Sequence, residues 1–431
     1  MGMDAHLVEA APYPGGVIRS ERRDGYLLEF GPQSFSATPA VLRLCRELQI
    51  ESQLIQAPLR APRFVLTGGR LRAVPLSPPA FMASSLFSAK TKLRVLRDVL
   101  GHSVPPENDE SVAAFVLRKF SPELLEKLVG PFVSGIFAGD PERLSVRSAF
   151  PQLYEAEKSV GSVIRGLLRD GKEQSAPREK TTLRTFRDGN QSLVDALATE
   201  IGSGLHCNTT AFSIRAVAGA ANAKALEVTI SANGQHETFT TDRLIVATPT
   251  QQAAELLRDL DPQFEAVLKQ FEYAPVAIVS TGYARAAVRH SLNGFGFLAP
   301  RSSGLRILGT VWNSSLFPGR APEDQVLLTS FVGGATNPEA VSLSTTELVS
   351  AVHQELAPLL GISQAPSFSS VWNYERAIPQ FNIGHAEKVK LLGELQVKHP
   401  NLWLVGNYLR GPSLGACIEE ALTVAQQAGK K

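Results

Sequence analysis

From Asn401 to Gly429 the chain reads NLWLVGNYLRGPSLGACIEEALTVAQQAG: a buried strand, a turn carrying Gly406, Gly411 and Gly415, and a helix that begins near Ser413. Small residues at that spacing let a flat ring or a phosphate approach the backbone, and the free amides of a first helical turn favour an electron-rich oxygen. A plain helix start capped by Ser413 is the competing reading. Dinucleotide-binding domains ordinarily open with a strand, a GxGxxG turn and a helix. The residues before Glu9 contain no such turn, so the expectation is an α/β domain read from mid-fold, without its pyrophosphate-binding turn and with its pieces far apart in the chain.

The opening residues MDAHLVEAAPYPGGVIRS place a short strand at His6 to Val8 that ends on Glu9, where an acidic residue takes ribose hydroxyls. Gly15 and Gly16 then form a turn, and an ordinary strand end followed by a turn accounts for the same residues. Next come a hairpin-like segment, Asp24 to Phe35, with a Gly-Pro loop, and helical periodicity from Pro39 to Leu48. Residues 61–170 change character: a small hairpin, PRFVLTGGRLRAVP, leads into amphipathic helices. From Leu183 the α/β pattern returns, with an Asn233-Gly234 hairpin turn and a strand from Arg243 to Ala247. Residues 256–394 mix strands with a helix from Thr345 to Leu360. The predicted organisation is a discontinuous Rossmann-like domain (1–50, 180–255 and 395–431), a helical insertion (61–170) and an α+β ligand domain (256–394).

At 431 residues the chain exceeds a single core. Its net charge of +2, from 43 basic and 41 acidic residues, provides no field for a polyanion and argues against nucleic acid. Cys45, Cys207 and Cys417 form no CxxC or metal-ligand spacing and fit a reducing cytosol. The eight histidines are scattered, and no Ser-His-Asp, metal or paired-carboxylate site stands out. Asp4, Glu9 and Arg19 argue against a secretory signal, and Pro75, Pro78 and Pro79 break the apolar run from Ala73 to Ala89, so no transmembrane helix is expected. Phe81, Met82, Leu86 and Phe87 precede Lys90, Lys92, Arg94 and Arg97, a pattern of apolar anchors and cations that suits an anionic membrane surface. An ordinary packed helix with a solvated basic face fits that pattern equally.

Six segments in order, EAAPYPGG, GPQSF at 31–35, SGIFAGDPERLSV at 134–146, GFGFLAP at 294–300, IPQFNIGH at 378–385 and LVGNYLRGPSLGACIE, resemble the oxygen-dependent protoporphyrinogen oxidases, flavoproteins of the amine-oxidase-like group. The resemblance spans nearly the whole chain. It implies flavin adenine dinucleotide (FAD) contacts at Glu9, Ala10 and Gly16, at Gly31, Pro32, Gln33 and Ser34 beside the isoalloxazine, and at Ala211, Tyr374, Pro412, Ser413 and Leu414. Gln33 and Pro412 depart from the residues common at those positions. For the substrate it implies a propionate partner in Arg63 and macrocycle walls at Leu298, Val311 and Phe331; core packing is the alternative role for these three. The implied reaction is repeated hydride removal from a porphyrinogen methylene bridge with dioxygen as final acceptor, and no side chain is expected to act as a catalytic acid or base.

The resemblance also makes the insertion membrane-associated and the location cytoplasmic, peripheral to the cytoplasmic membrane. Protoporphyrinogen IX is the expected substrate, with coproporphyrinogen III as the close variant. Amine oxidation or carotenoid desaturation on the same fold, and a flavin-free porphyrin-binding role, are the competing functions. The oligomeric state stays open, a homodimer among its alternatives.

Overall fold

Asp24 and Gly25 both take positive φ, 50° and 80°, which matches the right-handed twist of paired strands and closes the hairpin Ser20–Arg23 with Tyr26–Glu29. The computed structural model describes residues 5–173, 182–217, 225–232 and 234–430. Asn233 lies outside them, while the flanking strands Leu226–Ala232 and Gln235–Thr241 pair antiparallel.

The largest sheet has seven strands in the order Phe368–Pro379, Tyr273–Ala284, Gln325–Gly333, Ile307–Val311, Gly296–Leu298, Arg63–Thr67 and Arg70–Ala73. It is mixed: Gly296–Leu298 runs parallel to Arg63–Thr67, and every other pairing is antiparallel. The hairpin of residues 63–73, expected within the helical insertion, therefore extends the ligand-domain sheet instead. Pairing satisfies its backbone groups, which a helical neighbour could not do. The helix Thr345–Leu360 covers one face. Its start is set by a capping box between Ser344 and Glu347. Leu348, Val352, Leu356 and Leu360 recur every four residues and are buried against Ala277, Val279, Phe297, Ile307, Leu328 and Val332. Each such burial contributes about 2 kcal/mol. Because strand side chains alternate, the residues between these point to the opposite face.

The helical unit contains Pro78–Ala83, Ala89–Leu100, Val112–Lys119, Gly130–Phe137, Pro151–Val160 and Val163–Glu173. Its core gathers Leu86, Phe87, Val112, Phe115, Val116, Val133 and Phe137. Of the expected membrane anchors, Leu86 and Phe87 are core instead, while Met82 is 41% exposed. Leu86 and Phe87 are each 3% exposed, and Phe81 packs on Phe87 with ring centroids 4.8 Å apart. Arg94 is likewise engaged, donating to the Phe120 carbonyl at 2.6 Å. A buried polar knot joins three of the helices: Lys119 meets Asp98 at 2.7 Å and Glu157 at 3.3 Å, and Arg118 meets Glu157 at 2.8 Å. Among the described residues, no helix is long and apolar enough to cross a membrane.

Candidate functional site

Two parallel strand pairs flank the residues expected to meet the cofactor. Leu7–Val8 pairs with Leu205–His206, and Leu244–Val246 pairs with Leu402–Leu404. No strand among the described residues joins the two pairs. Ligands of open α/β sheets sit beyond the carboxyl ends of parallel strands. Glu9, Thr248 and Gly406 occupy those positions here.

Glu9 is held on both sides. Its amide donates to the His206 carbonyl at 2.9 Å, its carbonyl accepts from Thr209 N at 2.9 Å, and its Oε1 accepts from Ala11 N at 2.8 Å. Ala10 sits exposed in the following bend, and Ala211 lies two residues past Thr209 in the strand Thr209–Ala216, packed partly on its core. The Thr248 hydroxyl is buried and has no hydrogen-bond partner. Sequence reading gave Thr248 no role; its place two residues past the strand Leu244–Val246, before Pro249, was the available signal.

The glycines divide by role. A Cβ on Gly31 would overlap the Val17 carbonyl oxygen, so the two backbone segments pass each other in contact. Gly16, at φ 59°, has no atom within 4 Å of the point a Cβ would occupy and faces open space. The Gly31–Ser34 loop is fixed by side chains. Gln33 Nε2 donates to the carbonyls of Glu29 and Gly31 at 3.0 and 3.1 Å, and Asn190 Nδ2 donates to that of Pro32 at 2.7 Å. Gln33 is therefore a buried brace of the loop, while Gly31, Pro32 and Ser34 stay partly exposed.

The C-terminal helix Leu414–Lys430 comes to the same place. Gly415 is buried, and a Cβ there would lie 3.1 Å from Thr38 Cγ2 and 3.9 Å from the Ser36 carbonyl. The helix start thus rests just past the loop, beside Phe35–Ser36. Ser413 Oγ accepts from Ala416 N at 3.2 Å, so its side chain serves as the helix cap. Leu414 packs with Phe35 and Ile418, and Pro412 is partly exposed at the turn.

The other face of the seven-stranded sheet, partly covered by the helical unit, brings together the residues expected to meet the substrate. One row across it pairs Val65, Leu298, Gly309, Phe331, Ile278 and Trp372 in register. The adjacent row pairs Arg63, Gly296, Val311 and Thr329. Period-two alternation puts both rows on one side, so Arg63, Leu298, Val311 and Phe331 share a wall. The helix Gly130–Phe137 closes on it so tightly that a Cβ on Gly135 would lie 2.6 Å from Leu298 Cδ2. Arg63 is exposed, with its guanidinium 5.5 Å from the Phe295 ring centre.

Tyr374 joins the same cluster as Phe331, and burial pushes its phenol up to about 12, so it stays neutral. Phe30, next to the loop, stacks on Trp372 at 4.7 Å, and Arg19 packs over both rings and over Tyr13. The loop and the wall are therefore in contact. A carboxylate, an open glycine turn and a buried hydroxyl without a partner suit a flavin nucleotide, and an apolar wall with one cation suits a large acidic substrate.

A family model described as "Flavin containing amine oxidoreductase" matches residues 1–428, and the chain belongs to that family. It is a flavin-dependent oxidoreductase. Its relatives include the chloroplastic protoporphyrinogen oxidase of Oryza sativa subsp. japonica, 36% identical over 98% of this chain and 83% of the relative. The coproporphyrinogen III oxidase of Bacillus subtilis (strain 168) is 28% identical over 99% of this chain and 92% of the relative. A solved structure from Exiguobacterium sp. 255-15, assigned as a protoporphyrinogen oxidase, superposes with a TM-score of 0.80 at 24% identity, covering 98% and 92% of the two chains, and supports the fold.

Proposed function

We propose that the chain uses FAD to oxidise protoporphyrinogen IX to protoporphyrin IX in haem biosynthesis, with dioxygen as acceptor. The observation that carries this reading is the shared sheet face of Arg63, Leu298, Val311 and Phe331, in contact through Trp372 and Phe30 with the Gly31–Ser34 loop. When bound, the flavin supplies a two-electron acceptor for a methylene C–H bond. The residues of the chain bind and orient. Arg63 pairs with a propionate, and the apolar rows take the macrocycle face. A cation at this position disfavours an ammonium substrate, which argues against amine oxidation. Glu9 supports a dinucleotide through its ribose, hence FAD. Four chloroplastic protoporphyrinogen oxidases, at 33% to 36% identity, stand above the coproporphyrinogen III oxidases at 28% and 26%, which supports protoporphyrinogen IX as substrate, while two further protoporphyrinogen oxidases at 28% and 27% are level with the latter.

Attachment to a cytoplasmic membrane surface belongs to the same proposal. Leu93, Leu96 and Leu100, 54%, 42% and 85% exposed, share one helical stripe with Arg97 and supply the apolar contact that Leu86 and Phe87 do not. Purified chain, supplied with FAD, is mixed with protoporphyrinogen IX or coproporphyrinogen III, and porphyrin fluorescence is followed. Faster gain with protoporphyrinogen IX is expected. No gain with either substrate on a flavin-loaded chain would refute the proposal.

A further inference from the structure

Asn313 follows the wall strand Ile307–Val311 by two residues and is 3% exposed. Its Nδ2 donates to Gln33 Oε1 at 2.7 Å. Gln33 is itself 7% exposed, and its Nε2 faces two carbonyl acceptors, those of Glu29 and Gly31. Those acceptors fix which end of the Gln33 amide is oxygen, and that end in turn requires an N–H donor from Asn313. The other end of the Asn313 amide, Oδ1, is buried without a partner. Buried side-chain oxygens seldom go unpaired, so this amide is placed for the one bond it makes. The turn that carries it is tied to the second wall strand as well, since Ser314 Oγ accepts from Leu327 N at 3.0 Å. From the opposite side Asn190 holds Pro32.

We infer that Asn313 is a positioning residue, which through Gln33 sets the Gly31–Ser34 loop against the substrate wall at Val311 and Phe331. This rests on the proposed function for what the loop and the wall face. A loop released from the wall keeps its own ligand contacts but loses the spacing between the two reacting groups, and a misplacement of about 1 Å can lower the rate as much as a hundredfold. Binding of the substrate to the wall itself is not touched.

The test uses the full chain with Asn313→Leu, Gln33→Leu and the double variant. Three quantities are read: hydrogen exchange of peptides covering residues 29–35 and 325–333 without substrate, flavin content, and kcat and KM for protoporphyrinogen IX. The expected result for Asn313→Leu is faster exchange at 29–35 with 325–333 unchanged, retained flavin, kcat down about tenfold and KM within about twofold; Gln33→Leu, which also loses the bonds to Glu29 and Gly31, falls further, and the double variant is no worse than Gln33→Leu alone. Where Asn313→Leu does not fold, Asn313→Ser, too short to reach Gln33, takes its place. Unchanged exchange at 29–35, additive losses in the double variant, or a lowered melting temperature with unchanged kcat would each overturn the inference. A wild-type chain that binds flavin but oxidises no porphyrinogen would defeat the proposed function instead, and exchange at 29–35 would still decide whether Asn313 holds the loop.

Discussion

Arg320 donates to Glu29 Oε1 at 3.0 Å, and the two side chains are 1% and 2% exposed. Arg320 also donates to the Thr185 hydroxyl at 2.6 Å and the Phe186 carbonyl at 3.1 Å, while Glu29 accepts from Ser20 Oγ at 2.6 Å and Asn190 N at 3.0 Å. Three distant segments meet at this pair, directly beneath the Gly31–Ser34 loop. Removing one partner leaves a buried charge uncompensated, so Arg320→Met is expected to cost about 3–5 kcal/mol. Combining it with Glu29→Gln should recover part of that loss. Urea unfolding of the two variants is the check, and equal losses would mean the pairing is immaterial.

The helical unit should show its own acid sensitivity. Burial pushes the Glu157 carboxyl up, but hydrogen bonds from Arg118 and Ser103 and the charges of Arg118 and Lys119 outweigh it and hold the group at about 2. Glu123, bonded by Lys127, Ser88 and Thr91, is also lowered to about 2 despite burial. A carboxyl depressed on folding adds stability above its unfolded value and loses it as pH falls toward its folded one. Stability from these groups should therefore hold down to about pH 5 and fall between about 4.5 and 2. Glu157→Gln should flatten that fall by roughly 2 kcal/mol, allowing for solvent screening. Thermal melts at pH 7, 5 and 3 measure it.

Gly16 and Gly31 should separate in their effects. Gly31→Ala drives a methyl into the Val17 carbonyl and is expected to destabilise the chain by about 1–3 kcal/mol even without flavin. Gly16→Ala meets no atom, so its cost is the left-handed strain of about 1 kcal/mol, while a methyl set against a flavin bound there would lower flavin affinity. Flavin titration beside apo-chain unfolding distinguishes the two. Equal flavin affinity in Gly16→Ala and wild type would remove Gly16 from the site.

Arg63→Ala should raise KM for protoporphyrinogen IX about tenfold or more, the worth of one charge-assisted hydrogen bond, with flavin content unchanged. Arg63→Lys keeps the charge but not the fork and should fall between. Steady-state kinetics decide it, and unaltered KM in the alanine variant places Arg63 outside the pocket.

Replacing Leu93, Leu96 and Leu100 together by Ser should abolish co-sedimentation with anionic vesicles and leave turnover in detergent intact, because these side chains are exposed and hold up no core. Raised salt should weaken wild-type binding through Lys90 and Arg97. Retained vesicle binding in the triple variant would move the contact elsewhere.

Local signals were legible in the chain alone. The helix Thr345–Leu360 and the strand and helix after Asn401 follow from residues within a few positions of one another, where capping and periodicity act, while the hairpin turn read near Gly31-Pro32 lies instead at Asp24-Gly25. The motif residues could likewise be named, and the wall of Arg63, Leu298, Val311 and Phe331 is where the sheet brings them. What tertiary structure decided was which apolar side chains are covered and which polar ones are paired. Leu86 and Leu93 are alike as residues, yet one is core and the other surface, because burial depends on what else packs there. Gln33 meets Asn313 across 280 residues and Glu29 meets Arg320 across 291. Hydrogen bonds act over about 3 Å, so such partners are unreadable until strand register brings them together.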